Sequence, residues 1–462
     1  MSCEKIAISD VVILTTEGRK NLKGNDLLLG DFSSPFGMIR VCHCLCFFSR
    51  RLLCFLVMLL VVSALFAQKG EGKHWGAEVE FMPGKALVMD QYQRKWMRGR
   101  DNYTIGLRAN YSAMPCDSDD FAADYNFPTL SVGLRYSINN GVTMYRDKDR
   151  EWPLIEPVDY ESRLGNIVTL YGMFTRPLYR TAKWELGYSL AAGIGYSKNK
   201  YNTYDAIDNE LIGSRWLIYF GAGVNATYRF APQWGLKAGL DFYHHSNGAL
   251  NRPNKGANIL GPSLALCYQP YAEEVADAKG AFAPASFKSY WYCNITAGVG
   301  AKTMLEDWID TQFGTAPGEE NYRTDQFKSY VAYSLQADVM CRYARRWASG
   351  VGVDLFYGSY ASHVEKMDEA KGRDLGHSPW SVGIAAKHQV YFRNLSLAMS
   401  LGYYLFREMG HNAKENEKRY YERIGIHYTF PSLGGLTIGG NVKAHLTKAD
   451  LTEFVVSYPI KF

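Results

Sequence analysis

Alternation with a period of two, repeated from Gln68 to Phe462, is the feature that most constrains this chain. Segments such as WGAEVEFM, YTIGLRANY, TLSVGLRYS, WELGYSLAAGIGY, WLIYFGAGVNATYRF and ERIGIHYTF alternate apolar residues with polar or small ones. Successive side chains of a strand point to opposite faces, so each segment has one apolar and one polar or glycine-rich face. Enrichment in Tyr, Val, Ile and Thr favours strand over helix. The pattern predicts about sixteen strands separated by turn-rich stretches, and no amphipathic helix longer than three turns.

A soluble sandwich would alternate too, but four features favour an antiparallel transmembrane barrel. An export signal precedes the strands. The strands are long enough to cross a bilayer at a tilt. Aromatic residues, 33 Tyr, 23 Phe and 10 Trp, gather at segment ends as an interfacial girdle requires. In the last segment Phe454, Val456, Tyr458, Ile460 and Phe462 form one apolar face ending on an aromatic. A closed barrel is also the one sheet that satisfies every backbone group in lipid. Residues 272–287, AEEVADAKGAFAPASF, are read as a linker or turn between regions 68–271 and 288–462. One large barrel, or an eight-stranded barrel plus a second β module, would fit.

The export signal is Arg50-Arg51, the apolar run Leu52–Phe66 and the small residue Ala67. A membrane helix would need about 20 apolar residues, so a signal peptide at 38–67 is expected. Residues 1–37 show no periodicity and read as an upstream mis-start. Cys3, Cys42, Cys44, Cys46 and Cys54 fall in this leader, whereas Cys116, Cys267, Cys293 and Cys341 are widely spaced without a CxxC pair. Neither a disulfide scaffold nor a zinc site is indicated, and no metal or organic cofactor is implied. The net charge of +5 is too diffuse for a nucleic-acid surface.

The stretch Trp234–Gly261, WGLKAGLDFYHHSNGALNRPNKGANILG, carries the chemistry. One face of its strand collects Leu236, Ala238, Leu240, Phe242, His244 and Ser246; the other collects Lys237, Gly239, Asp241, Tyr243 and His245. An imidazole and a hydroxyl thus end an otherwise apolar stripe. Asn258 begins the return strand, so a hairpin brings it beside the pair. The dull reading is available for each: His244 as a girdle residue, Ser246 as the loop's first residue, and Asn251, Pro253, Asn254 and Gly256 as ordinary turn chemistry.

The motif HHSNGALNRPNKGAN (244–258) resembles the outer-membrane lipid A 3-O-deacylases of the PagL type and their acyloxyacyl-hydrolase relatives. The similarity spans residues 75–270. It implies a lipid-facing esterase at the outer leaflet, acting on lipid A or lipopolysaccharide, with Ser246 as nucleophile and His244 as base. Asn247 takes the oxyanion position. The family's orienting Glu falls at Asn258, a departure that weakens the triad. An Asn can orient an imidazole through its carbonyl but supplies no charge, and in a serine protease the Asp-to-Asn change costs about four orders of magnitude through the wrong tautomer.

The expected function is therefore an outer-membrane esterase that removes an ester-linked acyl chain from lipid A or a related glycolipid. The alternative is a catalytically silent barrel, a channel, scaffold or adhesin, the last resting on long loops at 138–163, 305–327 and 360–378. With its N-terminus in the periplasm, Trp234–Ser246 is the seventh strand and ends at the outer leaflet. An internal echo relates 229–246 to 342–359, placing Tyr357 and Ser359 where His244 and Ser246 stand. A duplicated barrel module is the favoured origin, a recurrent hairpin solution the other.

Overall fold

The computed structural model describes residues 74–276, 282–446 and 448–462. The expected leader at 38–67, the upstream segment 1–37 and the five cysteines within them lie outside the described residues.

Nine strands form the first half: β1 (Trp75–Ala86), β2 (Met97–Ser112), β3 (Thr129–Met144), β4 (Ser162–Arg163), β5 (Ile167–Arg180), β6 (Trp184–Ser197), β7 (Trp216–Ala231), β8 (Trp234–Ser246) and β9 (Ala257–Tyr268). Since β1 pairs with both β2 and β9, and β2 with β3, eight of them close into a barrel, and β4 is a short addition to β3. The second half contributes β10 (Tyr290–Thr303), β11 (Ser329–Ala344), β12 (Trp347–Gly358), β13 (His377–Phe392), β14 (Leu395–Met409), β15 (Tyr420–Phe430), β16 (Leu436–His445) and β17 (Lys448–Lys461). These eight close into a second barrel through β10 and β17. Two barrels, not one large one, therefore resolve the alternatives left by the sequence. Within 272–287, Ala272–Ala276 is a short helix.

The period of two decides what each face meets. Val132, Leu134 and Tyr136 on β3 are exposed, while Ser131, Arg135 and Ser137 on the alternate face are buried. Eight strands leave an interior just wide enough for side chains to fill. In the first barrel Arg135 Nη2 lies 2.6 Å from Glu80 Oε1, and Lys237 Nζ 2.7 Å from Glu78 Oε2. In the second, Lys387 Nζ lies 2.6 Å from Asp354 Oδ1, and Arg423 Nε 2.9 Å from Glu453 Oε1. Outward apolar belts of this extent need an apolar solvent. Among the described residues no helix is long and apolar enough to cross a membrane; the strands do the crossing.

β8 spans Trp234–Ser246 and is the seventh strand of its barrel, as the pattern predicts. Connections 145–166, 198–215, 247–256, 304–328 and 359–376 lie at the end where β8 finishes. The opposite end carries short turns such as 232–233 and 345–346, together with the longer 113–128. One loop was read too early: β3 continues to Met144, so 138–144 is strand. Asn139, Asn140 and Gly141 resemble a turn, but the irregular register with β2 absorbs them.

The barrels touch at both ends. At the short-turn end Arg345 Nη1 meets Asp124 Oδ2 at 2.8 Å, Arg346 Nη1 donates to the Asp124 carbonyl at 2.7 Å, and Tyr125 OH donates to the Tyr391 carbonyl at 2.8 Å. At the long-loop end Lys200 pairs with Asp325 at 2.9 Å, and Tyr201 OH donates to the Arg323 carbonyl at 2.6 Å.

The echoed strands β8 and β12 run in the same direction, with Leu240 50% and Val353 49% exposed on the outward face. They are, however, the seventh strand of one barrel and the third of the other. The echo is therefore not a position-for-position copy of one barrel in the other, while the shared direction and outward face are those expected of a repeated module.

Candidate active site

Register along β7, β8 and β9 assembles the site. His244 stands opposite Phe220 on β7 and Asn258 on β9, and Ser246 stands opposite Ile218. On the other face of β8, His245 turns inward, where its Nε2 contacts Thr169 Oγ1 at 2.9 Å, and Asp241 takes a hydrogen bond from Ser263. The sequence division of the two faces holds along β8, although Ser246 at its end is itself buried, 8% exposed.

His244 Nδ1 lies 2.7 Å from Asn258 Oδ1. Asn258 Nδ2 donates to the Gly256 carbonyl at 3.4 Å, which fixes the amide with its oxygen toward the imidazole. A carbonyl oxygen only accepts, so Nδ1 must carry the hydrogen and Nε2 keeps its lone pair. This removes the main objection to an Asn at that position, because the wrong-tautomer penalty arises when the amide turns its NH2 toward the ring. The missing negative charge is the departure that remains.

Gly256 packs directly on this ring. Its φ is +79°, and a Cβ there would lie 2.4 Å from His244 Cε1. Glycine is required twice over, for the left-handed backbone and for the close approach. Ser246 shares the outward face with His244, their Cα atoms about 7 Å apart at strand rise. Among the described residues no hydrogen bond joins Ser246 Oγ to His244, a contact that in ligand-free sites often closes only around substrate.

Asn247 is 1% exposed. Its backbone N–H donates to Asn254 Oδ1 at 2.8 Å, and its Oδ1 accepts from the Ala249 N–H at 3.1 Å. Its Nδ2 is buried without a hydrogen-bond acceptor among the described residues. An unmade buried hydrogen bond costs about 1–3 kcal/mol, so a donor kept in this state is notable.

Two further residues contribute: Asn254 holds the Asn247 backbone and Gly256 covers the His244 ring. Both belong to the P-N-x-G-x-N return at 253–258 that the motif carries, although each alone also reads as turn chemistry. Elsewhere, Ser349 Oγ lies 2.9 Å from His388 Nδ1 at the short-turn end of the second barrel. No third group orients that imidazole among the described residues. The second echo copy is silent too, since Ser359 Oγ donates to the Val331 carbonyl at 2.7 Å and Tyr357 packs edge-on against Trp380.

Glu417, His445 and Asp450 come close enough to share an ion. Their carboxylates are already matched by cations: Lys443 Nζ lies 2.8 Å from Asp450 Oδ2, and Arg407 pairs with Glu417. Burial would raise the Glu417 carboxyl, but Arg407 and His445 hold it below its ordinary value. A charge network explains this cluster without a metal.

The family model for lipid A 3-O-deacylase (PagL) matches residues 128–266, and that for the acyloxyacyl hydrolase C-terminal domain matches residues 291–461. No curated protein matches the chain. Among solved structures, the outer membrane enzyme PagL is 13% identical, covers 41% of this chain and 98% of its own, and has a TM-score of 0.25. The N-terminal β-barrel domain of Pseudomonas aeruginosa OprF is 12% identical, covers 42% and 97%, and has a TM-score of 0.21. Scores this low add nothing to the architecture described above. The two family models fall on the two barrels in turn, and the chain is a protein of the bacterial outer membrane. It belongs to the PagL-type family of outer-membrane lipid A 3-O-deacylases and acyloxyacyl hydrolases.

Proposed function

We propose that this protein hydrolyses an ester-linked acyl chain of lipid A, or of a related glycolipid, using Ser246, His244, Asn258 and Asn247. The observation that carries the reading is the 2.7 Å contact between His244 Nδ1 and Asn258 Oδ1, because it leaves Nε2 basic on the face that holds Ser246. Ser246 Oγ attacks the ester carbonyl carbon while its proton passes to His244 Nε2. The oxyanion takes a hydrogen bond from Asn247 Nδ2, the donor without an acceptor. Collapse breaks the bond to the sugar oxygen, which receives the proton from His244 and leaves as a hydroxyl. Water, deprotonated by His244, then releases the fatty acid from Ser246.

Placement supports this chemistry. Both residues occupy outward positions at the end of β8, with Ser246 8% exposed, so the proposal brings the acyl chain to them from the lipid side and not through the barrel. Long connections at that end favour the outer leaflet, where lipid A resides. Substitution of Glu by Asn favours one rival, a silent barrel. Purified protein in lipid A-containing micelles separates the two: the proposal requires fatty acid release by the parent and none by Ser246→Ala. Equal absence of release from both would establish the silent barrel.

A further inference from the structure

The loop that follows Ser246 is held by the second barrel. Thr303 occupies an outward position at the end of β10, where its strand mates Ile295 and Val299 are 41% and 47% exposed, yet it is only 1% exposed. Loop 247–256 covers it. The Thr303 N–H donates to the Ala249 carbonyl at 2.9 Å, and the Thr303 carbonyl accepts from Arg252 Nε at 3.2 Å and Nη2 at 3.1 Å. Beside it on β17, Thr452 Oγ1 donates to the Gly248 carbonyl at 2.6 Å. The approach is so close that a Cβ on Gly248 would fall 2.0 Å from that oxygen.

These contacts reach the proposed oxyanion donor through one peptide plane. Thr452 fixes the carbonyl of the Gly248–Ala249 peptide. The N–H of that same peptide donates to Asn247 Oδ1, which dictates the amide's orientation and leaves Nδ2 as the free donor. We propose that the second barrel positions the oxyanion donor of the first, with Thr452 as the positioning residue, an inference that rests on the role of Asn247 given above. The C-terminal barrel is then part of the enzyme's site and not an appended passenger.

The test uses full-length protein in lipid A micelles. Thr452→Val keeps the shape and strand preference and removes the hydroxyl; Thr452→Ser keeps the hydroxyl. The inference expects Thr452→Val to lower kcat about fivefold to tenfold, the net worth of one hydrogen bond. KM should be unchanged, Thr452→Ser should match the parent, and amide exchange across 247–256 should quicken in the valine variant alone. All variants should remain heat-modifiable barrels. An active parent with Thr452→Val at the same kcat would overturn the inference and leave the proposed function standing. A parent as inactive as Ser246→Ala would overturn both.

Discussion

Asn258 offers the sharpest test of how the imidazole is held. Replacing it by Leu removes the 2.7 Å bond and strands the Nδ1 hydrogen in a site where residue 258 is 8% exposed. An unpaired buried donor costs about 1–3 kcal/mol. If that loss falls on the reacting orientation and tautomer of His244, kcat drops roughly tenfold to a hundredfold with KM little changed. Asn258→Asp keeps the acceptor and adds charge. At about 4 Å and an effective dielectric of 20, that charge stabilises an imidazolium by at most ~4 kcal/mol. Burial of the carboxylate offsets several kcal/mol of this. Repulsion from the Gly256 carbonyl, 3.4 Å from the atom replaced, offsets more. The expected outcome is a rate between the parent's and about ten times it, and Asn258→Glu should likewise keep or raise the parent rate. The assay is fatty acid release from lipid A micelles over a substrate range. Parent-like kcat in Asn258→Leu, with His244→Ala inactive, would refute the orienting role.

Other outcomes follow from the same geometry. His244→Ala should abolish release while leaving a heat-modifiable barrel, and Ser359→Ala should release fatty acid like the parent, because its hydroxyl is spent on the Val331 carbonyl. Gly256→Ala should lower kcat at least tenfold, since its Cβ would enter the His244 ring and its φ of +79° adds strain of about 1–3 kcal/mol. A tag at Gly372 should be reachable on intact cells and one at Pro232 should not; the reverse would invert the barrel and remove the site from lipid A. Glu417 is held below its ordinary value, so its stabilising effect is present above about pH 4.3 and is lost as the pH falls further. Thermal midpoints of the parent should therefore fall more steeply into acid than those of Glu417→Gln.

What the sequence could and could not reveal follows from the range of each force. Alternation is local, so the outward stripe of β8 from Leu236 to Ser246 was readable directly, and so was the return of Asn258 beside His244 across one hairpin. Barrel closure is not local. The pairing of β1 with β9, and of β10 with β17, decides between one barrel and two, and no nearby residue announces it. Loop 247–256 was likewise read from its own residues. Its contacts with Thr303 and Thr452 join positions more than fifty residues apart in the chain, and those threonines look like ordinary strand ends.

The most direct measurement is mass spectrometry of lipid A from cells carrying the parent, Ser246→Ala, or neither. The account predicts lipid A lacking one ester-linked acyl chain with the parent alone, and identical, fully acylated lipid A in the other two. Lipid A with the same acylation in all three would contradict it.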